Sequence, residues 1–108
     1  MSALRYVVLH HTGIDRPHYD LMLERDSHEA LATVRCSDWP PVDGTVLERI
    51  GDHRRSYLEY EGPISGNRGE AARAESGVYT AQADRDSMLL SLSSGVQIRI
   101  PGTDRDKK

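Results

Sequence analysis

The chain has 108 residues, 37% hydrophobic and 29% charged, with a formal net charge of −3. That size and balance suit one globular domain with a modest core. They exclude a protein that coats nucleic acid by bulk positive charge, but not a small site that grips one terminal phosphate. The single cysteine, Cys36, excludes an intrachain disulfide framework, and a reducing cytoplasm is the compartment that fits. Met1 to Leu9 lacks a basic segment followed by a long apolar one. No apolar run approaches the roughly 20 residues that span a bilayer, so no membrane partner is expected.

Leu4 to His11 is rich in β-branched and aromatic residues and reads as a first strand. Thr12 to Pro17, with Gly13, is a short loop that returns the chain beside it. His18-Tyr19-Asp20-Leu21-Met22-Leu23-Glu24 follows and alternates polar with apolar in its first four positions. On a strand Tyr19, Leu21 and Leu23 then share an apolar side, and His18 and Asp20 project together on the other. Arg25-Asp26-Ser27-His28 is a polar turn into a third strand, Ala30 to Arg35. Ser37 to Gly44, with Trp39-Pro40-Pro41, is a loop.

Thr45 to Ile50 fits either a strand or a helical turn, and Ser56 to Glu61 reads as a strand. Gly62 to Gly69 is a glycine-rich loop. Glu70 to Glu75 suits one helical turn, too short to stand alone. Val78 to Ala81, Met88 to Leu92 and Val96 to Ile100 read as late strands, with a hairpin signal at Ser93-Ser94-Gly95. A loose charged tail runs from Pro101 to Lys108. This succession of short strands predicts a mostly-β fold with little helix, an antiparallel sandwich or a small barrel.

Two constellations carry chemistry. The first is His10 or His11 with His18 and Asp20. Two imidazoles and a carboxylate suit Mn, Zn or Fe; the alternative is that His18 and Asp20 form a surface or hydrogen-bonded structural pair. The second is His53-Arg54-Arg55-Ser56-Tyr57-Leu58-Glu59-Tyr60-Glu61-Gly62. If extended, it places His53, Arg55 and Tyr57 on one face, where they can hold a phosphate. The alternative is an exposed polar face with Leu58 and Tyr60 packed inward.

The two constellations occur together and in this order, and here the chain resembles the 3′-phosphoesterase domain of bacterial DNA ligase D. Tyr6-Val7-Val8-Leu9-His10-His11 resembles that family's first strand, which ends in a metal-binding histidine. His18 to Glu24 resembles its His-Tyr-Asp-x-Arg-Leu-Glu motif. Asp52-His53, Tyr57 and Tyr60-Glu61-Gly62 resemble its later motif in spacing. The resemblance implies a compact antiparallel β-barrel that uses Mn²⁺, or another divalent transition metal, on nucleic-acid 3′ ends. There it would remove a terminal ribonucleoside and then the 3′-phosphate in DNA repair. His11, His18 and Asp20 would hold the metal, and His53 and Tyr57 would contact the scissile phosphate as catalytic residues. A repair ligase or polymerase is the implied protein partner.

The chain departs from the family at Met22, where the motif has a phosphate-binding arginine. Loss of that fork would cost about 2–4 kcal/mol of transition-state binding, by analogy with losing one preorganised donor. Arg55 is the leading substitute, with Arg54, Arg5 and Arg35 behind it. The loop from His11 to His18 is one residue longer than the family spacing. Leu9 replaces a polar residue that would orient a ligand. These departures leave open a catalytically impaired member that binds phosphorylated ends or a protein partner.

Overall fold

The computed structural model describes residues 3–26, 28–42, 47–64, 66–84 and 86–101. The turn residue Ser27, the end of the loop at Asp43-Gly44, and the tail beyond Pro101 lie outside them. Eight strands carry the fold: β1 (Leu4–Thr12), β2 (His18–Leu23), β3 (Leu31–Cys36), β4 (Glu48–His53), β5 (Gly62–Pro63), β6 (Glu70–Asp84), β7 (Ser87–Leu92) and β8 (Gln97–Pro101). They form one antiparallel sheet in the order β4-β3-β2-β1-β6-β7-β8, with β5 paired to β6. The fold is mostly β with little helix, and the sheet curls into an open half-barrel. Its edges approach where the Leu47 N–H donates to the Arg99 carbonyl at 3.2 Å. No helix among the described residues is long and apolar enough to cross a membrane.

Strand alternation sorts side chains onto two faces. Tyr6, Val8, Leu21, Leu23, Ala32 and Val34 point into the curl, with Cys36, Tyr79, Leu90, Leu92, Ile98 and Ile100. Burial pushes the Cys36 thiol up to about 11, so it serves as a small core residue and not as a nucleophile. On the outer face Val7, Leu9, Met22 and Leu31 form a second apolar layer with Leu58 and Ala71. Both sides of β2 are therefore covered, although its alternation suggests a solvated polar face. The layer forms because residues 55–64 fold back across β1 and β2.

Two segments differ from expectation. Ser56 to Glu61 is not a strand: Arg55–Leu58 is a 3₁₀ turn, closed by Tyr57 N–H to the Arg54 carbonyl at 3.0 Å and Glu59 N–H to Ser56 at 3.1 Å. So short a helix does not hold itself. Burial of Leu58 against Leu31 and Leu9, of order 2 kcal/mol, seats it. Glu70 to Glu75 is not helical but the start of the long strand β6. Alanine is the best helix former, but propensity amounts to only tenths of a kcal/mol per residue, about 0–0.7, and the open edge of β1 offers a full set of backbone partners. The ambiguous stretch before Gly51 resolves, over its described part, into β4.

β6 carries the one irregularity that shapes both faces. Val8 pairs with Glu75 but Leu9 with Arg73, so Ala74 is an extra residue. A one-residue slip reverses which side chains face which way. Ala71 and Arg73 consequently share the outer face with Leu9 and His11, while Glu75, Gly77 and Tyr79 turn toward the core. There the Glu75 carboxylate accepts from Tyr6 Oη at 2.6 Å, Ser94 Oγ at 2.6 Å and Trp39 Nε1 at 3.0 Å. Trp39 is thus a loop anchor. Burial alone would raise the Glu75 carboxyl, but hydrogen bonds from Ser94, Tyr6 and Trp39 overcome it and hold the pKa below the ordinary value.

A depressed carboxyl pKa stabilises the fold above the unfolded-state value, and that stability is lost as pH falls through the folded-state value. Urea denaturation across pH 3–7 is expected to show an acid limb that Glu75→Gln flattens in part. The same variant is expected to lose roughly 1–2 kcal/mol at neutral pH. An unchanged pH profile would remove Glu75 from the acid response.

Candidate metal centre

The β1–β2 hairpin sets the first constellation. His11 and His18 are register partners across the two strands, and Asp20 lies two residues further along the same face. His18 Nδ1 is 2.9 Å from the Arg16 carbonyl oxygen, and His11 Nε2 is 2.6 Å from the Arg68 carbonyl oxygen. A carbonyl only accepts, so in the neutral rings these two nitrogens carry the protons. The opposite nitrogens, His11 Nδ1 and His18 Nε2, then present lone pairs that face each other at 3.3 Å. His18 Nε2 also stands 3.4 Å from Asp20 Oδ2.

In these tautomers three acceptor atoms converge, an arrangement that a bound cation relieves. All three lie within 4.8 Å of one another. Two donors each about 2.1 Å from one ion stand about 3.0–3.4 Å apart at octahedral to tetrahedral angles, and the two separations above fall there. Donation of the second ring N–H to a carbonyl is the device that fixes tautomer and orientation in metal-ligating histidines. His11, His18 and Asp20 therefore form a potential metal-binding triad, in a small β-rich fold consistent with a metal-using enzyme. A His₂-carboxylate set suits a divalent ion without selecting one. His10 is not part of it. Its ring faces the other way and stacks on Tyr19, with centroids 4.2 Å apart and planes 6° from parallel.

Gly69 makes the Arg68 contact possible. Its φ is +81°, and a Cβ there would lie 2.0 Å from the Thr12 carbonyl oxygen. Only glycine lets the loop before β6 press against the end of β1 and aim the Arg68 carbonyl at His11.

Asp20 is 4% exposed and is gripped by Arg35, its register partner on β3. Arg35 Nε donates at 2.9 Å and Nη2 at 3.2 Å, a two-pronged contact. Beside the triad opens a cavity of ≈ 280 Å³, with Leu9, Met22, Ile64 and Ala71 as its apolar walls. His53, Tyr57, Arg35 and Arg68 also line it. His53 Nδ1 lies 3.0 Å from both Thr33 Oγ1 and the Gly51 carbonyl oxygen. The Thr33 hydroxyl donates to Leu31, so its oxygen accepts from His53. The neutral His53 ring thus carries its proton on Nδ1 and presents Nε2 as an acceptor. Tyr57 meets its edge, with centroids 5.8 Å apart.

The structure brings His11, Asp20, His53 and Tyr57 to one cavity, with His18 next to His11 and Asp20, but it does not bring Arg55 there. The face shared by His53, Arg55 and Tyr57 presupposes extended backbone, and the 3₁₀ turn rotates Arg55 away. Its guanidinium instead donates to the Glu24 carboxylate, which also accepts from the Arg5 backbone N–H at 2.9 Å and Arg5 Nη2 at 3.3 Å. Burial raises the Glu24 carboxyl, and the bonds from Arg5 with the charges of Arg5 and Arg55 outweigh it. Arg55 is a clasp that holds the turn to β2. Glu61 is likewise structural and accepts the Arg73 N–H at 2.7 Å.

Arg35 and Arg68 supply the cationic side chains that the sequence places at Arg55. Arg35 stands in the sequence only as a weaker substitute for Arg55, because its pairing with Asp20 needs a register centred one residue beyond the middle of Arg25–His28. Arg68 and Thr33 carry no signal in the sequence, since one depends on loop conformation and the other on a third strand. In comparisons with known proteins, no family model and no curated protein matches this chain.

Mn²⁺ at ~100 times its Kd is expected to stabilise the protein by about 2.7 kcal/mol, a rise in melting temperature of roughly 10 °C. His11→Ala and His18→Ala are expected to abolish the rise, and Gly69→Ala to weaken metal affinity by about tenfold or more. Equal shifts in wild type and both histidine variants would count against the triad.

Proposed function

We propose that this protein is a Mn²⁺-dependent phosphoesterase that processes the 3′ ends of nucleic acid in DNA repair. It would remove a terminal ribonucleoside and then the 3′-phosphate. One observation carries the reading: His11 and Asp20 of the triad and the His53–Tyr57 pair, which come from separate motifs, line a single cavity with Arg35 and Arg68, and His18 lies within 4.8 Å of the other two triad donors. The motif resemblance to the 3′-phosphoesterase domain of DNA ligase D supports the reaction, and a repair ligase or polymerase is the protein partner it favours.

The side chains divide the work. When bound, a divalent ion supplies Lewis-acid charge to a phosphate oxygen. Arg35, which also grips Asp20, and Arg68 place two cationic residues in the lining, which favours an anionic ester. Tyr57 donates its phenol proton in a hydrogen bond to an equatorial oxygen. His53 acts through Nε2. Neutral, it accepts from a water near the phosphorus, and once protonated it donates to the leaving oxygen. Thr33 and Gly51 keep that nitrogen turned inward. The apolar walls at Leu9, Met22 and Ile64 limit water and strengthen each of these contacts.

A second reading is a member of this fold that binds phosphorylated ends or a protein partner without turnover. It rests on Met22, which is 2% exposed and puts a thioether where the resembled family has arginine. An assay of phosphate release from a 3′-phosphorylated primer with Mn²⁺ separates the two. Wild type is expected to turn over, His18→Ala to lose activity by a hundredfold or more, and Met22→Arg to gain tenfold or more. No Mn²⁺-dependent release by wild type would contradict the phosphoesterase reading.

A further inference from the structure

A second cavity, of ≈ 330 Å³, adjoins the phosphate cavity and shares Tyr57 and Ile64 with it. Its remaining walls are Arg54, Ser56, Tyr60 and Pro63. The Tyr57 and Tyr60 rings stand perpendicular, with centroids 5.7 Å apart. The Tyr60 hydroxyl donates to the Pro63 carbonyl, which pins that ring to the chain entering β6 and leaves it 36% exposed. The volume lies at the small end of ligand pockets, about 300–1,000 Å³, and suits one planar ring system. Its lining combines aromatic faces with one cationic side chain, the combination that receives a base and its backbone phosphate in single-stranded nucleic-acid binders.

We infer that this second cavity is a nucleobase subsite, in which Tyr60 stacks the base of the terminal nucleotide while its 3′-phosphate lies in the neighbouring cavity. The inference rests on the phosphoesterase reading and deepens it, because it makes the substrate a nucleotide end and not a small phosphoester. Tyr57 is the shared wall, with its ring toward the base and its hydroxyl toward the phosphate. Arg54 meets the internucleotide phosphate on the 5′ side. The subsite reads no base identity: every base has a π face, and among the described residues no amide or carboxylate side chain lines the cavity to read base edges.

The test uses a single-stranded oligonucleotide with 2-aminopurine as its last base, ending in a 3′-phosphate, titrated with protein and Mn²⁺. Stacking quenches this fluorophore. Wild type and Tyr60→Phe, which keeps the ring, are expected to quench it on binding. Tyr60→Leu is expected to bind at least tenfold more weakly and to leave it bright. In parallel, Tyr60→Leu is expected to lose at least tenfold more kcat/KM on the oligonucleotide than on p-nitrophenyl phosphate. Binding without quenching in wild type, or quenching that survives Tyr60→Leu, overturns the subsite. Quenching that depends on Tyr60 without hydrolysis of either substrate keeps the subsite and counts against turnover at its neighbour alone.

Discussion

Two imidazole lone pairs held toward each other at 3.3 Å are the constraint that the rest of this molecule serves. Left to themselves the rings would rotate. The Arg16 and Arg68 carbonyls prevent rotation by claiming the far nitrogen of each ring. One of these carbonyls belongs to the β1–β2 loop and the other to the loop before β6. The site is therefore complete only when β6 has paired with β1 and Gly69 has closed against Thr12. Assembly of the sheet and assembly of the donor set are one event, the coupling by which a metal that binds only the folded chain adds to its stability.

The bulge at Ala74 has the same dual role. It lets one long strand present Ala71 and Arg73 to the outer face and then Glu75 and Tyr79 to the core. A strand without the extra residue would send Glu75 to the surface, and the donors from Tyr6, Trp39 and Ser94 would lose their shared acceptor. The outer apolar layer works in parallel. Leu58 seats the 3₁₀ turn and Arg55 clasps it to Glu24, so that Tyr57 overhangs the cavity floor at Met22 and Leu9. Polar chemistry on an outer sheet face is sheltered here by a few residues of irregular chain and not by a second sheet.

Much of this could be read from the residues, and what could not has physical reasons. The strand at His18 declared itself by its alternation, and the short loop before it brought His11 alongside. Period-two patterning marks a strand wherever one face meets a core, and this is why the late strands were also legible. The stretch from Ser56 to Glu61 misled because aromatic and apolar residues favour a strand, whereas Leu58 finds its burial through a single helical turn. Glu70 to Glu75 misled in the opposite sense, because even alanine's helical preference yields to an unpaired strand edge. Arg35 pairs with Asp20 only in the observed register, one residue beyond the centre that the turn residues suggest, and Arg68 reaches the cavity through a loop whose path only the packed glycine explains.

The central claim is that His11 Nδ1, His18 Nε2 and an Asp20 carboxylate oxygen share one cation. Crystals grown with Mn²⁺ and measured at the manganese absorption edge test it most directly. The account expects a single strong anomalous peak within bonding distance of those three atoms, with both far ring nitrogens still on the Arg16 and Arg68 carbonyls. No peak there, or an ion bound only after a ring has abandoned its carbonyl, would contradict it.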